Sequence, residues 1–207
     1  MTVDQIAEAV AALREECNLP LAPTRRGPVP LDRFFQSTKR NVSHVALPAL
    51  SLRTVIAYLV AERFVSGPHV LEDLPNQSDH LDGFLFWSGG DGLAFENADD
   101  ILPRRRFTAA HELGHAVLHR DRMGRFRADE TIAEGADQPD DQLEREANRF
   151  AADLLMPEEL IRARAAELTA EHGCCPRGVL EYRLAAELLV SQQAMHYRLK
   201  ALEVGDA

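Results

Sequence analysis

Residues 104–119 read RRRFTAAHELGHAVLH, and fold and chemistry both turn on this stretch. Phe107, Ala110, Val117 and Leu118 give it apolar flanks, and the pattern predicts a helix near 104–120. On such a helix His111 and His115 lie four residues apart, so their imidazoles project from one face and can share a metal ion. Glu112 follows the first histidine directly, where a general base beside a metal-activated water belongs. Gly114 allows another chain element to approach closely. Two imidazoles plus a carboxylate suit zinc, which favours a roughly tetrahedral site with one position left open for catalysis. The plainer alternative is a buried histidine pair with a solvated glutamate, and it leaves the flanking pattern unexplained.

A third protein ligand is sought in LEREANRFAADLLMP, residues 143–157. Leu143, Ala147, Phe150, Ala151 and Leu154 define the inward face of a second helix. At about 100° per residue, Glu144 lies roughly 60° from the centre of that face and Glu146 roughly 100° away. Glu144 is therefore the expected ligand and Glu146 a solvated carboxylate. Asn148, one turn after Glu144, is placed to hydrogen-bond a ligand from behind.

Outward from these helices the pattern stays mostly helical. Helices are expected at 3–17, at 51–65 with Ser51 as N-cap, and near 140–155, 157–171, 177–188 and 191–203. DGFLFW, SGGDG and LAFEN, within residues 82–97, read as two strands joined by a glycine-rich turn. Leu93, Ala94 and Phe95 on the second strand are candidates for pairing with a substrate peptide as an added strand. The proline-rich stretch 20–30 should be extended or turn-like, 31–48 resists assignment, and the acidic stretch 128–142 reads as a loop near the mouth of the site. The class is α+β, helix-rich, with a small antiparallel sheet. Three segments are expected: an N-terminal helical region at 1–75, a catalytic core at 76–160 and a C-terminal helical segment at 161–207.

Bulk properties narrow the function classes. The net charge of −10 argues against nucleic acid as the main partner. No apolar run reaches the roughly 18 to 20 residues of a membrane span, since the longest is broken by Glu62 and Arg63. The N-terminus lacks a signal-peptide pattern, and three cysteines, two of them the adjacent Cys174 and Cys175, form no disulfide framework. A cytoplasmic protein is expected. Arg25, Arg26, Arg33, Lys39 and Arg40 make a basic stretch that reads as a solvated loop, with docking of an acidic partner as the alternative.

The paired strings RRRFTAAHELGHAVLH and LEREANRFAADLLMP resemble the ImmA/IrrE family of bacterial and phage metallopeptidases. The likeness runs over about residues 80 to 205, taking in the two strands and LAAELLVSQQAMHYRLKALEV near the C-terminus. It implies a zincin-like protease core in which His111, His115 and Glu144 hold one Zn2+, with Mn2+ as the alternative ion, and Glu112 is catalytic. It also implies a protein substrate, a helix-turn-helix transcriptional repressor cut in stress response or mobile-element control. The first 70 or so residues do not share the likeness. His119, Tyr182, His196 and Tyr197 are candidates for a second electrophile that sequence does not rank.

Two other readings compete. Residues 184–202 resemble a helix-turn-helix, with Arg183, Arg198 and Lys200 as local cations, which suggests a DNA-binding regulator. The other is a catalytically silent zinc-binding sensor, against which Glu112 weighs because a structural site needs no base.

Overall fold

The structure is a computed structural model, and it describes residues 1–19, 26–36, 41–67, 80–122, 124–129, 132, 141–172 and 175–205. The 20–25 part of the proline-rich stretch, Arg25, Lys39, Arg40, Cys174 and most of the acidic stretch 130–140 lie outside the described residues.

The elements follow in the order α1 (Val3–Glu16), α2 (Asp32–Phe35), β1 (Val42–Leu47), α3 (Leu52–Ala61), β2 (Gly83–Ser88), β3 (Asp91–Asn97), α4 (Leu102–Leu118), β4 (Phe126–Asp129), α5 (Gln142–Leu155), α6 (Glu158–His172), α7 (Arg177–Leu188) and α8 (Gln192–Ala201). The expected helices are all present. Ser51 caps α3 as expected, with a reciprocal bond from Thr54, but the helix stops at Ala61 because Arg63 takes φ +62°.

The sheet corrects one expectation, because it is mixed rather than antiparallel. Its order is β1-β3-β2-β4, with β1 parallel to β3 and the other pairs antiparallel. β2 and β3 form the hairpin foreseen at SGGDG, and Gly89 takes φ +63°, the left-handed value such a two-residue turn needs. β2 is apolar from Phe84 to Trp87 because both its faces are covered. Phe84 and Phe86 join the α3 residues Leu52, Val55 and Leu59, while Leu85 and Trp87 face Ala116 of α4.

α4 is enclosed on the sheet side and on the α5 side, and residues Phe107 to Ala116 are all buried. Its first turns are anchored by three arginines, one of them to the sheet itself. Arg104 pairs with Asp82, Arg105 donates twice to Glu96 at 2.9–3.0 Å, and Arg106 donates to the Val29 carbonyl at 2.8 Å. Against α5 the approach is close because Gly114 has no side chain. A Cβ there would meet Phe150 Cδ1 at 3.0 Å and the Ala147 Cα at 3.3 Å.

The apolar cluster around Phe150 and Leu154 also takes in Ile6, Val10 and Leu13 of α1, and Leu184, Leu188, Met195 and Leu199 of α7 and α8. α7 and α8 therefore spend their apolar faces on the protein body. Arg198 is inside as well, 5% exposed, donating to the Met156 carbonyl and paired with Asp153. That removes one of the three cations the DNA-binding reading relied on. Arg26 is used within the chain too, 3.0 Å from Glu167. Among the described residues no helix is long and apolar enough to cross a membrane.

Candidate metal centre

The sequence folds so that three elements converge on one point. α4 contributes His111 and His115, both wholly buried. α5, capped by Asp141 and pressed onto Gly114, brings Glu144 to them. The Nε2 atoms of the two histidines are 2.9 Å apart. Glu144 Oε2 lies 3.2 Å from His111 Nε2, and its Oε1 lies 3.1 Å from His115 Nε2. β4 adds a fourth group: Asp129 Oδ2 is 3.8 and 3.9 Å from the same two nitrogens. One ligand atom from each of the four lies within 4.8 Å of the others.

The protons behind the rings show which atoms are free to bind. His111 Nδ1 is 2.8 Å from Asn148 Oδ1, which can only accept, so the nitrogen carries the hydrogen and Nε2 keeps a lone pair. His115 Nδ1 lies 2.9 Å from His119 Nδ1, and His119 Nε2 lies 2.9 Å from Glu146 Oε2. With Glu146 as the terminal acceptor, hydrogens run from His119 to Glu146 and from His115 to His119. His115 is thus also left with its Nε2 lone pair pointing at the cluster. Two lone pairs and two carboxylates aimed at one point fit a divalent cation such as zinc.

The electrostatics agree. Burial alone would depress His111, but the Asp129 and Glu144 carboxylates facing it raise it to about 10. Burial and the neighbouring His111 charge lower His115 to about 4. Glu144 is driven below the usual carboxylate range; burial opposes this, but the bonds from both histidines outweigh it.

Glu112 lies beside the cluster without joining it. It is fully buried, and neither carboxylate oxygen has a hydrogen bond among the described residues. Burial, reinforced by Asp129, pushes it well above the ordinary range. It packs against Gly83 at the start of β2, where even a Cβ would overlap Glu112 Oε1 and come within 3.0 Å of its Cδ. Gly83→Ala is accordingly expected to displace the carboxylate. The rate should fall on the order of 10²-fold, with stability down by about 1–3 kcal/mol and metal content unchanged. Steady-state kinetics beside metal analysis checks this, and wild-type kcat in the variant would refute it.

The chain matches the Peptidase_M78 family, the IrrE N-terminal-like domain, over residues 67–200. It belongs to that family. The match spans more than half of the 207 residues and contains both ligand helices. Membership supports a metallopeptidase-type activity, and the cluster just described is a place for its metal. None of the curated proteins matches the chain.

Several expectations are revised within this family site. Leu93, Ala94 and Phe95 cannot take an added strand, because β3 lies inside the sheet. Their backbone is paired with β1 on one side and β2 on the other, and all three are buried. Glu146 is not solvated but 4% exposed. It accepts from His119, Arg122 and Gln142 at 2.8–2.9 Å and pairs with the Met1 ammonium. The wheel placed Glu146 off the apolar face correctly, but that flank is covered by the end of α4 rather than by water. His119 turns out to brace His115, facing away from the cluster. Tyr182 is 63% exposed, and His196 bonds Glu181 while Tyr197 packs edge-on against it. Asp129 and Arg127 were missed altogether. The only hint was that His111, His115 and His119 continue one i, i+4 column, which marks the braced ring but not the strand opposite.

Proposed function

We propose that the chain is a zinc-dependent endopeptidase that cuts a specific regulatory protein. The observation that carries this reading is the convergence of the two Nε2 lone pairs and Glu144 beside a buried, unpartnered Glu112. His111, His115 and Glu144 would hold the ion, which when bound supplies an electrophile for the scissile carbonyl and acidifies water.

Glu112 takes a proton from the attacking water at its carboxylate and returns it to the leaving amine. Its burial excludes bulk water from that transfer. Asn148 and His119 keep the two imidazoles in the required tautomer and orientation. The substrate backbone pairs with the outer edge of β4, the last strand of the sheet and the one that carries Asp129 to the cluster. The substrate class, a helix-turn-helix repressor of the cytoplasm, rests on the family resemblance and not on any contact.

Metal content tests the reading. Wild type should carry near one zinc per chain, and His115→Ala and Glu144→Ala should lose it or bind at least about 100-fold more weakly. Labelling of new protein N-termini in cells should then reveal cuts made by wild type and absent with Glu112→Gln. A wild type that cannot take up zinc would rule the enzyme reading out.

A further inference from the structure

Asp129 is 6% exposed and sits at the end of β4, opposite Gly83 of β2. One of its oxygens has a clear partner: Arg127 Nε donates to Oδ1 at 3.3 Å. The other, Oδ2, is buried and makes no hydrogen bond among the described residues. It is aimed into the cluster, 3.8 Å from one Nε2 and 3.9 Å from the other. Those separations are too long for hydrogen bonds, yet they are nearly equal.

Equal distances are what two vertices show toward a third around a common centre. Zinc bonds of about 2.0–2.1 Å in a tetrahedron place neighbouring ligand atoms about 3.4 Å apart. The edges run from 2.9 Å between the imidazoles, through 3.1 Å to Glu144 Oε1 and 3.2 Å to Glu144 Oε2, to the two Asp129 edges. They bracket the tetrahedral value. Among the described residues no other His, Cys, Asp or Glu side chain joins that group of four.

We propose that Asp129 is a fourth protein ligand, so that the resting site is sealed by two histidines and two carboxylates, and that hydrolysis requires Asp129 to withdraw. This rests on the metallopeptidase reading and adds a gate to it. The strand bearing the gate is also an end strand of the sheet among the described residues, the place where a peptide adds as a further strand. Docking and unsealing therefore act on the same four residues, Phe126 to Asp129. Arg127 is built to hold the released strand end, because it also binds Asp141 at 3.1 Å and pairs with Glu144.

The experiment replaces zinc by Co2+ in the full chain and records the visible spectrum of wild type, Asp129→Ala and Asp129→Asn. The backbone bond from Asp82 N–H to the Asp129 carbonyl, 2.9 Å, does not involve the side chain, so sheet pairing is kept. Circular dichroism of the metal-free proteins verifies that. Acetohydroxamate is then titrated as a probe for an open metal position. The expected result is an altered cobalt spectrum in both variants, metal affinity down by about 10- to 100-fold, and acetohydroxamate binding at roughly tenfold lower concentration than in wild type. If wild type binds Co2+ and both variants match it in spectrum, affinity and acetohydroxamate binding, Asp129 is no ligand and only this inference falls. If wild type takes up neither Co2+ nor zinc, the metallopeptidase reading falls and this one with it. Where Asp129→Ala does not fold, Asp129→Asn decides alone.

Discussion

Glu112→Gln should lower peptide hydrolysis by about 10²- to 10⁴-fold, the worth of a positioned general base, and leave the metal in place. Three features of the site separate this loss from a structural one. Glu112 is close to the cluster without being one of its four converging groups. Among the described residues its two oxygens hold no hydrogen bond that an amide would break. Burial pushes the carboxyl well above the ordinary range because it penalises the charged form, and a neutral glutamine of the same shape carries no such penalty. The apo variant should therefore be no less resistant to denaturant than apo wild type. Turnover and zinc content measured on one preparation suffice. Residual activity within tenfold of wild type would take the base role away from Glu112.

The largest stability effect is expected far from the chemistry, at Arg198→Met. Arg198 is buried on α8; its Nη1 lies 2.6 Å from Asp153 on α5, and its Nε donates to the Met156 carbonyl. Asp153 is itself 7% exposed, and its backbone carbonyl accepts from Arg14 of α1 at 2.7 Å. Methionine fills most of the volume but strands the carboxylate with Arg149 as its remaining ion-pair partner among the described residues. Breaking a buried pair on one side costs about 3–5 kcal/mol, which for a chain of this size lowers Tm by about 6–20 °C. The double replacement Arg198→Met with Asp153→Leu should recover much of the loss, since the stranded charge is then gone. Thermal melts of the single and double variants read this directly, and a single-variant loss below about 1 kcal/mol would mean the pair is effectively solvated.

What could be read from the sequence was what is local. The His111 and His115 pair, Glu112 beside them and the inward set of Ala147, Phe150, Ala151 and Leu154 all follow from a single period along one helix. Glu144 and Asn148 follow because α5 is held onto α4 at Gly114, itself visible as a gap in the side-chain pattern. What could not be read depends on partners distant in the chain. β1 pairs in parallel with β3 some fifty residues later, and its Ser43 and His44 mask the apolar alternation. Asp129 sits in a strand of four residues within an acidic stretch, and nothing in FRAD announces that β2 will pair with it. Leu93 to Phe95 were rightly placed in a strand, but a strand's place in the sheet order is not a local property. Glu146 shows the same limit on a helix, because the wheel gives an angle and not what stands at it.

The charge carried by β4 bears on solubility as well as on catalysis. An edge open to a substrate strand is equally open to the same edge of another copy, and long apolar edges invite sheets to join. Here the edge offers four residues, of which Arg127 and Asp129 are charged and held inward by each other and by Glu144. Two copies meeting there would have to pull Arg127 and Asp129 out of those ion pairs, which makes this edge a poor template for aggregation.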